Sequence, residues 1–443
     1  MILITIIAFI FILAFSITIH EFGHFLIAKW GGIPVEKFSL GFGPPIFKKQ
    51  IGETDFRIAY FPLGGYVKLA DEDEGEIIPS FKKITDPPVP TAPENPVLPK
   101  KPGFYDVPIY RRIAVLISGP IFNILSALII LIFIFSVFGL LVTPYRSLSV
   151  EPGSYTERAG FLSGDSLISI NGSSLNSWED VIDALEQKSD PNPRTISFIR
   201  ENRTVSMTIT WPSDSLDLKP FIPPAIGQVR IGGPAYRAGL RKGDLITSIN
   251  GQEMKTWEQM WKYIRSSPRK TLVFEYVRNG DEQSATLSPA ATYDPIQKDT
   301  VGQIGILMAL KRYYPGFFKS VSMAMDRGVN LVWLTLKTLY ELIIGKISRR
   351  ALGGPIAIAR LSGESASWGL ENLFTLLAVI SINLGLVNLF PLPAFDGGQT
   401  LIALFEGIRR KRLSRRTRLV LQNIGYAIIL LLIIFVTYND LTR

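Results

Sequence analysis

Four stretches of the chain are apolar for long enough to cross a bilayer, which takes about 20 residues. The first carries no charge from Met1 to Ile19 and continues through a His-Glu pair to about Ala28, and the second, Ile113 to Val142, is uncharged over thirty residues. The third is uncharged from Asn372 to Phe395, and the fourth runs from Leu419 to Val436. Spans are therefore expected at 1–28, 113–142, 372–396 and 419–438. A cleaved signal peptide is the simpler reading of the first. That stretch lacks a basic start and a small-x-small cleavage site, so it is expected to stay in the membrane. Asn330 to Gly345, in the connecting segment 296–371, is apolar around most of a helix but carries Lys337 and Glu341. This suits a helix lying in the membrane interface.

Charge between the spans sets an expected orientation. Loop 29–112 has Lys29 and Lys37 near one end and Lys100, Lys101, Arg111 and Arg112 near the other. Loop 397–418 carries Arg409, Arg410, Lys411, Arg412, Arg415, Arg416 and Arg418, with no acid from Arg409 onward. Basic flanks face the cytoplasm. Both loops are expected there, with both termini and segment 143–371 outside. Pro79 to Pro102 holds eight prolines and reads as an extended linker.

The outer segment repeats itself at an offset of 79 residues: Arg158-Ala159-Gly160 recurs as Arg237-Ala238-Gly239, Gly164-Asp165 as Gly243-Asp244, Asn171-Gly172 as Asn250-Gly251, and Trp178 as Trp257. Each copy has a short alternating strand closed by Asn-Gly, then an amphipathic helix. A period this long means two copies of one small domain, at 143–215 and 216–295, and the pattern resembles PDZ domains. Such domains take an extended peptide onto a sheet edge. Peptide capture and steric gating over the membrane face are both open readings.

Composition then narrows the chemistry. Hydrophobic residues are 47% and charged residues 19% of the chain, with mean hydropathy +0.24. That is too apolar for a disordered chain and high for a purely soluble one. Lys and Arg outnumber Asp and Glu by 47 to 38, a net charge of +9. In so apolar a chain the excess fits membrane flanks, and no nucleic-acid partner is expected. The absence of cysteine excludes disulfides, thiolate zinc sites, Fe–S clusters and cysteine nucleophiles.

The chain has two histidines, and they fall in one motif, His20-Glu21-Phe22-Gly23-His24. On a helix, positions i and i+4 share a face, so both imidazoles can address one metal ion with Glu21 beside them as a base. Two histidines placed at random are four apart in roughly one chain in 200, and inside a span such a cluster is costly unless used. With no other His and no Cys, a further strong ligand must be Asp or Glu. Asp396 is the only charged residue between Glu371 and Glu406, at the exit of the third span. The first and third spans run in the same direction on the expected topology, so His20, His24 and Asp396 share one depth near the cytoplasmic side. Two His, one Asp and an open position make a catalytic zinc arrangement, with Glu21 as general base. Pro391 and Pro393 exclude regular helix just before Asp396. Irregular backbone at that depth lines a cavity or packs on protein.

Together the motifs resemble the site-2 proteases, intramembrane zinc metalloproteases, and most closely their RseP type. HEFGH (20–24), FSLGFGP (38–44), PLGGYVK (62–68), SGPIFN (118–123), the PDZ-like pair, LGGPIAIA (352–359) and SINLGLVNLFPLPAFDGG (381–398) occur in that family's order. The resemblance implies a polytopic α-helical membrane protein with four transmembrane helices, an inserted pair of α+β PDZ domains outside, and a membrane-associated β-hairpin at 56–68. It implies one zinc ion per chain on His20, His24 and Asp396, catalysis by Glu21, and substrate handling by Asn383, Asn388, Pro391 and Pro393. The hairpin, turning at Gly64-Gly65-Tyr66, would clamp an unwound substrate strand. The implied role is the second cut of an anti-sigma factor in the bacterial inner membrane, after another protease has removed its periplasmic domain. The PDZ pair would exclude substrates that keep a bulky domain, and removal of remnant signal peptides is a second implied role. Phe395 and Gln399 stand where the family has Leu and His.

Two other readings compete. One is a membrane-anchored protease working in solution with Glu36 as third ligand, and the other a non-catalytic scaffold that gathers partners through its PDZ domains. Glu21→Gln separates enzyme from scaffold.

Overall fold

The computed structural model describes residues 2–71, 103–186, 193–210, 218–294, 299–346 and 353–442. The proline-rich stretch 79–102 lies outside them. The chain divides into two units, one formed by Met1–Ser136 with Gly316–Arg443 and the other by Val137–Pro315.

The first unit opens with helix α1, Ile2–Trp30, whose buried residues include Ala8, Ile12, Ser16 and His20. This i, i+4 row is one narrow stripe, and the apolar side chains around it, such as Ile7, Phe11 and Phe22, are exposed. A helix surrounded by lipid needs that distribution. Strands β1 (Val35–Ile51) and β2 (Thr54–Leu69) follow as an antiparallel pair. The chain reverses between Ile51 and Thr54, where Gly52 takes φ +60°. The expected hairpin at 56–68, turning at Gly64-Gly65-Tyr66, is thus corrected: those residues lie inside β2. Glycine is needed at 64 and 65 for close approach, since a β-carbon would come within 2.0 Å of the Phe42 ring at 64 and 2.9 Å of the Ser39 carbonyl at 65. Bulges bring the strands together twice, Pro45↔Ala59 to Ile51↔Thr54 and Val35↔Leu69 to Leu40↔Gly65, and Lys37 to Leu40 also face Asp55 to Ile58.

Helix α2 (Ile109–Phe133) runs into a π-helical turn, Ile134–Phe138. The thirty-residue uncharged run expected as one span therefore ends early. Gly139, at φ +70°, turns the chain out, and Leu140–Val142 pairs as a strand with Lys311–Tyr313.

The second unit contains the two copies. In the first, helices α3 (Tyr155–Arg158) and α4 (Trp178–Glu186) accompany a sheet in the order Ser173–Ser174, Ser166–Ile170, Arg194–Arg200, Arg203–Ile209. In the second, α5 (Pro234–Arg237) and α6 (Trp257–Arg265) accompany Gln252–Glu253, Leu245–Ile249, Leu272–Arg278, Asp281–Leu287 in the same order. Equivalent residues fill both cores: Phe161, Leu167, Ile170 and Trp178 in one, Leu240, Ile246, Ile249 and Trp257 in the other. The repeated aspartate is buried in each. Asp165 pairs with Arg200 at 2.6 Å and Asp244 with Arg278 at 2.7 Å, and each arginine also donates to the carbonyl of the repeated glycine, Gly160 or Gly239.

The first unit resumes with α7 (Phe317–Ile343), α8 (Pro355–Ser367), α9 (Leu370–Asn388), α10 (Asp396–Arg409) and α11 (Arg415–Leu441). Helix α7 is longer than the expected Asn330 to Gly345 because no glycine or proline interrupts it between Gly316, at φ +76°, and Arg327. Val329, Trp333, Leu336 and Tyr340 form an exposed apolar stripe along it. The loop expected at 397–418 is also corrected, since most of it is α10. Pro391 and Pro393 end α9, but no proline follows and α10 buries Gly398, Ala403 and Glu406 along one side. Among the described residues four helices are long and apolar enough to cross a membrane: α1, Ile109–Phe138, α9 and α11.

Helix α2 sits between α1 and α9. A β-carbon on Gly23 of α1 would lie 2.7 Å from the Ser118 carbonyl of α2, and one on Gly385 of α9 would lie 2.8 Å from the Pro120 carbonyl. Small residues let helices approach this closely where lipid gives no hydrophobic drive. A Ser16–Ser381 hydrogen bond of 3.1 Å joins α1 to α9, and a buried Arg112–Glu406 ion pair of 2.9 Å joins α2 to α10.

Candidate metal centre

His20 and His24 lie one turn apart on the buried stripe of α1. Asp396, the first residue of α10, reaches them from a different element. Its Oδ2 is 3.0 Å from His20 Nε2 and 3.5 Å from His24 Nε2, and the two Nε2 atoms are 3.2 Å apart. The seven residues after Asn388 form an irregular turn that folds back on itself. Gly397 and Gly398 of α10 sit so close to the Leu389 and Leu392 carbonyls that β-carbons would lie 2.1 and 2.0 Å from them. Gln399 fixes the same turn by donating to the Pro393 carbonyl at 2.6 Å. The first turn of a helix also favours a carboxylate electrostatically.

These atoms fit a metal better than they fit one another. Asp396 Oδ2 is buried and, although near both imidazoles, makes no aligned hydrogen bond among the described residues. A tetrahedral site with bonds of about 2.0–2.1 Å has edges of roughly 3.3 Å, close to the three separations found. The donor set of two imidazoles and one carboxylate suits zinc. His24 Nδ1 donates to the Val115 carbonyl at 2.8 Å, which leaves the Nε2 lone pair for a metal. Space is made by Gly119 of α2, where a β-carbon would lie 2.4 Å from His24 Nε2 and 2.8 Å from His20 Nε2.

The cluster opens into a cavity of about 420 Å³, lined by His20, Glu21, His24, Gly65, Tyr66, Val67, Asn388, Phe395 and Asp396 among others. Glu21 stands between the histidines and β2, its Cγ 3.2 Å from where a Gly65 β-carbon would be. A sequence match covers residues 8–432 with the family model described as peptidase family M50. The chain belongs to peptidase family M50. Among its relatives, a protein of Neisseria meningitidis serogroup A described as a zinc metalloprotease is 32% identical over 462 residues, covering 99% of both chains. The regulator of sigma-E protease RseP of Salmonella typhimurium is 32% identical and that of Escherichia coli 31%, each covering 98% of both chains. A solved PDZ domain of an SdrC-like protein from Listeria monocytogenes matches at 28% identity over 19% of this chain and 84% of its own, with TM-score 0.17. This M50 peptidase is a membrane-embedded zinc metalloprotease of the site-2 type.

The residues expected at the site separate into two groups. Gly65, Tyr66 and Asn388 line the cavity with Glu21, His20, His24 and Asp396, and Gly64, Asn383, Pro391 and Pro393 do not. Asn383 instead accepts a hydrogen bond from the Thr335 hydroxyl of α7 at 2.8 Å. Glu36, the alternative third ligand, pairs with Lys68 at 3.1 Å. Gly119 and Asn123, which meet the imidazoles, fall within the SGPIFN motif (118–123), but neither has a role assigned from the sequence. Their signal was available as a Gly-Pro step and a buried-type amide inside an otherwise apolar span.

Proposed function

We propose that the protein holds one zinc ion on His20, His24 and Asp396 and hydrolyses a peptide bond within or beside the transmembrane segment of single-span membrane proteins. The observation that carries this is the meeting of the three donors with Glu21 in one cavity at the end of an apolar helix. Bound there, zinc supplies Lewis acidity that polarises the scissile carbonyl and makes water more acidic. The Glu21 carboxylate takes the proton from the attacking water and passes it to the leaving amine nitrogen. Gly65 to Val67 of β2 offer an extended backbone beside Glu21, along which an unwound substrate strand adds. Asn388 is placed to hold that strand's backbone.

In the cell the substrate is an anti-sigma factor already shortened by another protease, a reading in keeping with relatives that are named regulators of sigma-E. The active site lies toward the cytoplasmic side of the inner membrane. The paired outer domains face the periplasm, where they act as a filter or hold peptide ends. The test is zinc per chain and cleavage of a single-span substrate, in detergent, for wild type, Asp396→Ala and Glu21→Gln. The expected result is about one zinc in wild type, a clear loss in Asp396→Ala, and retained zinc without cleavage in Glu21→Gln. Full zinc without Asp396, or cleavage without Glu21, would overturn the reading.

A further inference from the structure

The two imidazoles of the centre are oriented by different groups. His24 uses a main-chain acceptor, the Val115 carbonyl. His20 also turns its Nε2 toward Asp396 and His24, and with a metal on that nitrogen its Nδ1 carries the proton and needs an acceptor of its own. The nearest group is the amide of Asn123 on α2, with its nitrogen 3.2 Å from Nδ1. The oxygen of that amide is buried without a hydrogen-bond partner among the described residues, and Asn123 as a whole has no exposed surface. Half a turn of the amide about χ2 exchanges the two atoms. It gives the ring its acceptor and the oxygen a donor, and it moves the amide nitrogen into the buried position the oxygen leaves.

We propose that Asn123 is a positioning residue: its Oδ1 accepts the Nδ1–H of His20 and so fixes the tautomer and plane of that ligand. The inference rests on the His20, His24 and Asp396 metal reading. Asn123 follows Gly119 by one helical turn on the same face of α2. Gly119 leaves room for both rings and Asn123 holds one of them. Asn388 also comes within 3.4 Å of both His20 ring nitrogens, but it lines the cavity and has a use there. Asn123 does not line the cavity, and the ring is the one side-chain group its amide meets among the described residues. A polar side chain inside an apolar span is costly unless it is used.

The test is zinc affinity of the full chain in detergent, measured by competition with a chelator of known affinity, for wild type, Asn123→Leu and Asn123→Asp. Leucine keeps the branched shape with slightly more bulk and removes the acceptor, so zinc should bind about 10- to 100-fold more weakly. Aspartate keeps an acceptor for Nδ1–H and should bind zinc nearly as wild type does. A residue that only fills space predicts the reverse order, because a buried carboxylate is the more damaging change in an apolar bundle. Wild-type affinity in Asn123→Leu, or equal loss in both variants, would overturn the inference alone. A wild type that takes up no zinc would overturn the metal reading and the inference with it.

Discussion

Replacing Gly119 by alanine tests the packing of the metal centre. A β-carbon there would lie 2.4 Å from His24 Nε2 and 2.8 Å from both Nε2 and Cε1 of His20. Non-bonded atoms of this kind settle at about 3.5 Å, so the ring atoms must move by roughly 1 Å. Helix α2 cannot back away cheaply, because it is already against α9 at Gly385. The imidazoles therefore turn. A metal site tolerates shifts of about 0.2 Å, so the displaced rings no longer present their lone pairs to one point. Overpacking costs about 1–3 kcal/mol. Taken from metal binding at about 1.4 kcal/mol per tenfold, this weakens zinc by about 5- to 150-fold. Chelator competition reads the affinity, and thermal unfolding checks that the bundle survives. Gly23→Ala is the contrasting variant: its β-carbon would press on the Ser118 backbone carbonyl at 2.7 Å, spreading the helices and lowering stability. A Gly119→Ala protein with wild-type zinc affinity would refute the packing argument.

Three further outcomes are expected. Glu406→Ala leaves the buried Arg112 guanidinium without the carboxylate 2.9 Å away, and should cost about 3–5 kcal/mol in a thermal or denaturant melt of the full chain. Because Glu406 shares α10 with Asp396, zinc should also bind more weakly, and an unchanged melt would show that the pair does not tie α10 to α2. Asp244→Asn breaks the buried pair with Arg278, and Asp165→Asn the matching pair with Arg200. Each should destabilise its own copy by a similar amount in urea, and indifference in either copy would count against a shared locking role. Stripping zinc with a chelator should lower the melting temperature of the first unit and leave that of the second unit where it was, since ligand binding stabilises only what binds.

Periodicity and elimination carried much of the site. An i, i+4 histidine pair can only face one way on a helix, and with no other His and no Cys the third donor had to be a carboxylate. Asp396, isolated in an apolar run, was the natural one, and the structure places it against both rings. The duplicated segment was equally plain, because copied words at one offset need no tertiary information. Its lock was hidden: Asp165 and Asp244 were visible, while Arg200 and Arg278 lie more than thirty residues further on.

Local rules failed where two elements meet. The Gly64-Gly65-Tyr66 segment carries turn residues, yet those glycines serve strand contacts with Phe42 and Ser39 and the chain turns at Gly52. Asn383 and Asn388 sit five residues apart on α9, about 140° around the helix at 100° per residue, so one bonds Thr335 of α7 and the other lines the cavity. Span lengths, the metal motif and the repeat are written in spacing along one segment, where neighbouring residues alone set the geometry. Which glycine admits the imidazoles, which amide meets His20 and which side of α10 is buried depend on contacts between residues about one hundred to several hundred positions apart. Those contacts exist only once α1, α2, α9 and α10 have packed.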